Sequence, residues 1–224
     1  MGRHRRLKLG VAFAFALAVA LAVAAVAAAD KEKIHYTAAG QVAARAAVIT
    51  RADLGSAPGW AGGPTKPSPG ATLNCPGFQP KQSDLVLIGD AESQWKNGGL
   101  SLDSEAQVLQ SAKMVQLDWQ RTVLAPQLES CLRTTFTRSL PSSATFVSLR
   151  RRVFPALTAY ARAYRLVANV KTSSGTVAVF VDFVLIGSKQ TEISLAVTAP
   201  LSGSGAVAAA EVRLAKVLLA RARL

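Results

Sequence analysis

Apolar and polar residues alternate with changing periods along this 224-residue chain, and each change of period predicts an element. Residues 38–50 carry apolar side chains at helical spacing, which predicts a short helix. The stretch GGPTKPSPG at 62–70 is too rich in glycine and proline for regular structure. From residue 85 the pattern is extended, and Asn97-Gly98 between two apolar runs is typical of a β-hairpin.

A switch to spacings of three and four residues predicts two helices in the middle of the chain. The first places Ala112, Val115 and Trp119 on one face. Pro126 suits the first turn of the second helix, because the fixed φ of proline is already helical. The residues that share the apolar face of this second helix are Leu128, Cys131, Leu132 and Phe136. Cys131 is therefore expected to point inward.

The part of the chain up to Pro200 that follows these helices is rich in β-formers. Short polar turns at 173–175 and 187–189 separate three long candidate strands, which predicts an antiparallel meander. The middle strand is apolar on both faces, so we expect it to be central and covered on both sides. The last strand alternates apolar with polar residues, which predicts one wet face. An apolar stripe with arginines beside it then predicts a C-terminal helix.

Together these elements predict a single α+β domain, an antiparallel sheet with a hairpin and a three-strand meander and with helices packed on it. Residues 1–29 are set apart as a secretory signal. Residues 30–70 are expected to form an N-terminal helix and a Gly/Pro-rich linker. Residues 71–224 are expected to form the α+β domain, stapled by a disulfide.

The N-terminus predicts export. A basic head is followed by the apolar run VAFAFALAVALAVAAVAAA, and Ala29 precedes the polar sequence DKEK. An uncleaved anchor helix is the alternative, because the apolar run is nearly long enough to span a bilayer. The alanine-only exit favours cleavage near Ala29. The mature protein is therefore expected to be secreted or extracytoplasmic and associated with the cell envelope.

The net positive charge of the chain bears on which partners it can bind. Four of the 26 basic residues lie in the signal, so the remainder carries 22 basic residues against 13 acids. A protein this basic is expected to associate weakly with anionic envelope surfaces. Strand alternation separates Arg151 from Arg150 and Arg152, and stacking aromatics are absent nearby, so we expect no nucleic-acid binding. The pattern does not indicate an oligomeric state.

The two cysteines, Cys75 and Cys131, are expected to form a disulfide, because export places them in an oxidising compartment. A zinc site would need two more ligands, and His35 is the one histidine that follows the signal. A catalytic thiol would want a histidine base, and the neighbours of His35 suggest none. We therefore expect no metal, no cofactor and no reactive thiol.

Three other motifs invite a chemical interpretation. Residues 203–208, GSGAVA, fit a dinucleotide fingerprint, but no parallel strand can follow, which favours a loop and a helix start. Asp90 and Glu92 share one strand face and could act as a glycosidase pair, yet solvated strand acids are the favoured interpretation. Asp182 interrupts an apolar face, so we expect it to pair with Arg162 or Arg165, or else to line a pocket.

The order of SDLVLIGDAESQW, FPAL…YRLVANV, VAVFVDFVLIG and a basic C-terminal helix resembles a group of mostly uncharacterised exported actinobacterial proteins. Over residues 38–222 this layout is similar to the extracellular sensor domain of mycobacterial serine/threonine kinases. The resemblance implies a ligand-binding cleft and no established catalytic residues. The chain has one cysteine pair where that sensor domain would have two, and it has no kinase segment.

Two functions follow as hypotheses. The leading one is a non-enzymatic exported domain of the cell envelope or extracellular space that binds a small or lipid-like ligand between sheet and helices, or acts as an envelope accessory. The alternative is a secreted hydrolase whose polar residues converge only in three dimensions. A cleft that holds Asp90, Glu92 or Asp182 in perturbed surroundings would favour the hydrolase.

Overall fold

The computed structural model describes residues 30–67 and 75–222, so the predicted signal at 1–29 lies outside the described residues. The strands are β1 (Lys33–Ile34), β2 (Ala61–Thr65), β3 (Val86–Asn97), β4 (Leu100–Leu109), β5 (Ala144–Arg152), β6 (Tyr160–Thr172), β7 (Gly175–Ser188) and β8 (Thr191–Pro200). The helices are α1 (Ala38–Ala46), α2 (Ala112–Arg121), α3 (Leu128–Ser139) and α4 (Ser204–Arg221). No helix in these described ranges combines the length and the hydrophobicity needed to cross a bilayer.

One eight-stranded sheet organises these elements. Its order is β1-β3-β4-β8-β7-β6-β5, and β2 also pairs with β3. All pairs are antiparallel except the two-residue β1, which runs parallel to β3. The predicted hairpin is β3–β4, with Asn97 opposite Leu100, and the predicted meander is β6–β7–β8. The predicted α+β class is confirmed, and the short parallel strand makes the sheet mixed.

The N-terminal part differs from its prediction. The expectation of no regular structure at 62–70 is wrong for β2, which pairs along the edge of β3. Pro64 is tolerated there because an edge strand can lack one N–H. The predicted helix over 38–50 ends at Ala46, and the chain then turns inward. Ile49 is 1% exposed, and its N–H donates to the Ser104 Oγ over 2.9 Å. In both places pairing with the sheet, rather than local propensity, determines the structure.

Helix α1 approaches β3 at a glycine pair. A Cβ on Gly40 would overlap the carbonyl of Ile88, and a Cβ on Gly89 would overlap the carbonyl of Gly40. Neither neighbour is a flexible side chain, so the backbones touch only because both residues are glycine. Gly89 also lies at a register shift in β3, where a bulge bends the strand.

Helices cover both faces of the sheet. The first face packs against α1 and α4, with Val184, Ile186 and Leu195 in its core. The second face packs against α2 and α3, where Leu149, Leu166 and Val181 are buried. Strand β7 lies in the middle of the sheet and contributes buried residues to both cores, as the sequence predicts.

A disulfide joins Cys75 to Cys131, the pair that the sequence predicts, with 5.6 Å between the two Cα atoms. Cys75 begins a tight turn in which its backbone and that of Phe78 exchange two hydrogen bonds. Gly77 sits in this turn with φ of 78°, a conformation that glycine adopts without strain. Cys131 is 2% exposed on α3. The bond therefore fastens α3 to the segment that leads into β3.

Candidate functional site

Acidic side chains converge on the second face of the sheet, along β3, β4 and β8. The registers place Glu92 opposite Glu105 and Asp90 opposite Gln107. Strand β8 then places Glu192 opposite Gln107. Because directly opposite side chains on one face lie about 5 Å apart at Cβ, these carboxyls form a continuous group. We call Asp90, Glu105, Asp118 and Glu192 the carboxyl cluster.

Helix α2 supplies Asp118 to the cluster. Its Oδ1 accepts a hydrogen bond of 2.7 Å from the Gln82 side-chain amide. Asp118 and Glu192 also share a hydrogen bond between their carboxyls. Next to Asp118, Trp119 is 2% exposed and packs on Gly187, where any Cβ would overlap the indole. The helix is thus held close to the sheet, with its carboxylate over β8.

A cavity of about 170 Å³ opens between α2 and the sheet. Its polar wall contains Glu105, Gln107, Asp118 and Glu192. Its apolar wall contains Trp119, Val123, Leu185 and Ile186. Among the described residues that line it there is no lysine or arginine. The cavity is therefore acidic on one side and apolar on the other, within a protein that is basic overall.

Several carboxyl oxygens of the cluster lack a hydrogen-bond donor. Asp90 is 2% exposed, and neither of its oxygens has a partner of ordinary geometry among the described residues. The Tyr36 hydroxyl lies near enough to lower the pKa of Asp90 slightly. The Oε1 of Glu192 is also buried without a partner in the described chain. Buried polar atoms are normally paired, so these oxygens mark a place for a ligand or water.

Burial and crowding raise the pKa values of the cluster. Burial, then the charges of Glu92 and Glu32, raise the pKa of Asp90 to about 7. Burial, then the charges of Asp90 and Glu92, raise the pKa of Glu105 to about 7. Burial and the neighbouring Asp118 raise the pKa of Glu192 well above its ordinary value. Such shifts are common at functional sites, because burial and neighbouring charges there adjust the pKa of a group to its task.

We expect the protein to be more stable at pH 5 than at pH 8. Because the folded state holds these protons to higher pH than the unfolded chain does, the free energy of unfolding falls as pH rises between the two pKa values. For Asp90, with pKa values of 3.8 and about 7, the full loss is at most about 4 kcal/mol.

Urea unfolding at the two pH values measures this difference. Asp90→Asn should make the pH dependence shallower, because asparagine does not ionise. Equal stability at both pH values, or higher stability at pH 8, would contradict the raised pKa values.

The other buried charges lie on the first face and form an ion-pair network. Asp182 is fully buried and accepts two hydrogen bonds from Arg165, of 2.7 and 2.6 Å. Arg152 also pairs with Asp182 and bonds the Glu211 Oε2 at 2.8 Å. The predicted pairing of Asp182 with Arg165 is thus confirmed, whereas Arg162 bonds a backbone carbonyl. Asp182 binds β5, β6 and α4 together and does not line the carboxyl cavity.

The remaining candidates from the sequence are resolved as follows. The interpretation of Asp90 as a solvated acid is wrong, because its side chain is buried in the folded protein. Glu92 is half-buried and accepts a hydrogen bond from the Thr65 hydroxyl. Residues 203–208 form a 3₁₀ turn and the first residues of α4, as predicted. No described group of three or more His, Cys, Asp or Glu residues is arranged to hold a metal ion.

Sequence reasoning missed Glu105, Asp118 and Glu192 as site residues. The signal was present in part, since Glu105 and Glu192 stand at polar positions of alternating strands. What the sequence lacks is the register that sets β4 beside β8 and the docking of α2 above them.

No family model matches the chain, and no curated protein matches it. Among solved structures, the chain is similar to the crystal structure of LpqN, which is involved in cell envelope biogenesis of Mycobacterium tuberculosis. The identity is 13%, the match covers 72% of this chain and 84% of LpqN, and the TM-score is 0.29. A likeness this weak carries no argument about function. The resemblance to the kinase sensor domain stays a prediction.

Proposed function

We propose that the protein is an exported domain of the cell envelope that binds a small polar ligand in the carboxyl cavity. The observation that carries this proposal is the buried Oε1 of Glu192, which has no partner among the described residues and lines a cavity of about 170 Å³. A cluster of buried acids costs stability, so its presence is better explained by binding than by folding. The disulfide supports an oxidising, extracytoplasmic location.

The volumes of two cavities among the described residues favour a small polar ligand over a lipid chain. The carboxyl cavity has room for roughly six water molecules at about 30 Å³ each. A second crevice, between α4 and the first face, is apolar but only about 70 Å³ in volume. Neither volume suits a long acyl chain. Weak attraction of the exposed Arg150 and Arg151 to anionic envelope surfaces remains a separate proposal.

Native mass spectrometry of the protein purified from its own host tests the proposal. We expect a small molecule to remain bound to the wild type and to be lost from Glu192→Gln, because that variant removes an ionisable carboxyl whose Oε1 has no partner among the described residues. Asp103→Asn is the matched control, since Asp103 lies on the same face of β4 but does not line the cavity. Equal retention of the molecule by all three proteins would place the ligand elsewhere.

A second candidate function is hydrolysis. It is favoured by Asp90 and Glu105, which lie on one sheet face with pKa values of about 7. A carboxyl poised near neutral pH can serve as a general acid or base. Release of product from chromogenic glycosides by the wild type, abolished in Glu105→Gln, would favour this function over simple binding.

A further inference from the structure

We infer that the ligand of the carboxyl cavity presents an ammonium group, so that the site is one for small organic amines. This inference rests on the proposed function and names the chemical class of its ligand. It follows from the hydrogen-bond inventory of the wall and from the charges that face the cavity.

The wall has acceptors but few free donors. The Gln107 side-chain amide already donates to Glu105 Oε1 at 2.8 Å, and the Gln82 amide donates to Asp118. The Oε1 of Glu192, which lines the cavity, receives no donor from the described chain. Ionised carboxylates only accept, whereas an ammonium group offers three donors and no acceptor. One ammonium group therefore supplies what this wall lacks.

A neutral polyol could also donate hydrogen bonds to the wall. The negative charges around the cavity favour an amine over such a polyol. The groups that face the cluster are Glu32 and Tyr36 beside β1, Asp90 and Glu92 on β3, Glu105 on β4, Asp118 and Arg121 on α2, and Glu192 on β8. Arg121 is committed to Asp84, with hydrogen bonds of 2.6 and 3.0 Å. Acids thus outnumber cations, and a bound cation would relieve the repulsion between them.

The apolar wall limits the rest of the ligand. Trp119, Val123 and Leu185 leave space for a short aliphatic segment beside the carboxyls. Ethanolamine is a suitable probe, since it joins an ammonium group to a two-carbon stem. Ethylene glycol is its neutral match in size.

Binding of an ammonium group should change the protonation of the carboxyls, and this change can be measured. A cation favours the ionised form of each carboxyl, so binding should release protons near neutral pH. Where one carboxyl with a pKa near 7 must ionise, affinity should rise about tenfold between about pH 6 and about pH 8. A neutral ligand would bind without this release.

The experiment is a titration of the full chain with each probe, followed by ¹H–¹⁵N NMR, with calorimetry in two buffers of different ionisation enthalpy. We expect ethanolamine to shift amides of β4, β8 and α2 saturably, with the pH dependence stated above. Glu192→Gln and Glu105→Gln should weaken this binding several-fold, while Asp103→Asn should not. Each variant removes a buried charge, so its folded spectrum serves as the check on structure.

Several outcomes would overturn the inference. If ethylene glycol binds as tightly as ethanolamine, the ammonium group is not recognised, although the proposed function still stands. If Asp103→Asn weakens ethanolamine binding as much as Glu192→Gln does, the amine is attracted only by the general negative charge of this sheet face. Non-saturating shifts spread over the surface would likewise reject an amine site, whereas retention of a host molecule in the mass spectrometry would still support the proposed function.

Discussion

Replacing Asp182 by alanine is expected to lower the free energy of unfolding by about 3–5 kcal/mol, because it leaves two partly buried guanidinium groups without their buried carboxylate. Arg165 would lose both of its hydrogen bonds to Asp182. Arg152 would keep only Glu211. Urea unfolding at neutral pH measures this loss.

Asp84→Ala is the matched control for this prediction. Asp84 also forms a two-pronged pair with an arginine, Arg121, but its side chain is 37% exposed. Water can replace the lost bonds there, so the control should be affected much less. Equal losses in Asp84→Ala and Asp182→Ala would show that burial of the network contributes nothing.

Removing the disulfide is expected to lower the free energy of unfolding by about 4 kcal/mol, because the bond closes a long loop in the unfolded chain. Cys75 and Cys131 are 56 positions apart. The double variant Cys75→Ala, Cys131→Ala avoids burying hydroxyl groups in the apolar cluster around them. Unfolding of this variant, compared with the oxidised wild type, measures the difference.

Reduction of the wild type with dithiothreitol provides an independent check on the same quantity. Reduced wild type and the double variant should unfold at similar urea concentrations. If oxidised and reduced proteins unfold together, the loop is already constrained by packing, and the bond adds no stability.

The sheet was predictable wherever the local pattern of apolar, polar and turn residues determines the structure. Strand β7 is apolar on both faces, and this alone predicted a central strand covered on both sides. The turn Asn97-Gly98 likewise predicted the β3–β4 hairpin. Strand β2 was not predictable, because its Gly- and Pro-rich sequence has no strand period and depends on the edge of β3 for its hydrogen bonds.

The candidate site was less predictable than the fold. Asp90 and Glu92 are two positions apart in sequence, so their shared strand face was predictable. Glu192 is distant from them in sequence. It joins them only because β8 lies between β4 and β7 in the sheet. Burial of Asp90 likewise depends on neighbours distant in sequence. The alternation within one strand thus locates polar positions. It does not show which of these residues become buried in the folded protein.

The ion-pair network illustrates the same limit. The sequence predicted that Asp182 pairs with Arg162 or Arg165, or else lines a pocket, because it interrupts an apolar strand face. It did not predict that Arg152 from β5 reaches across to Asp182, or that Glu211 on α4 completes the network. The first contact requires β5 to lie beside β6, and the second requires the placement of α4 over the first face.

The proposed site requires a carboxyl cluster that is buried and crowded enough to hold protons near neutral pH. Carboxyl ¹³C NMR of the free protein, recorded across a pH titration, measures this directly. We expect Asp90 and Glu105 each to titrate with a midpoint of about 7, while exposed acids titrate near their ordinary values. Midpoints near 4 for both residues would contradict the account, because the cavity would then be lined by ordinary solvated acids.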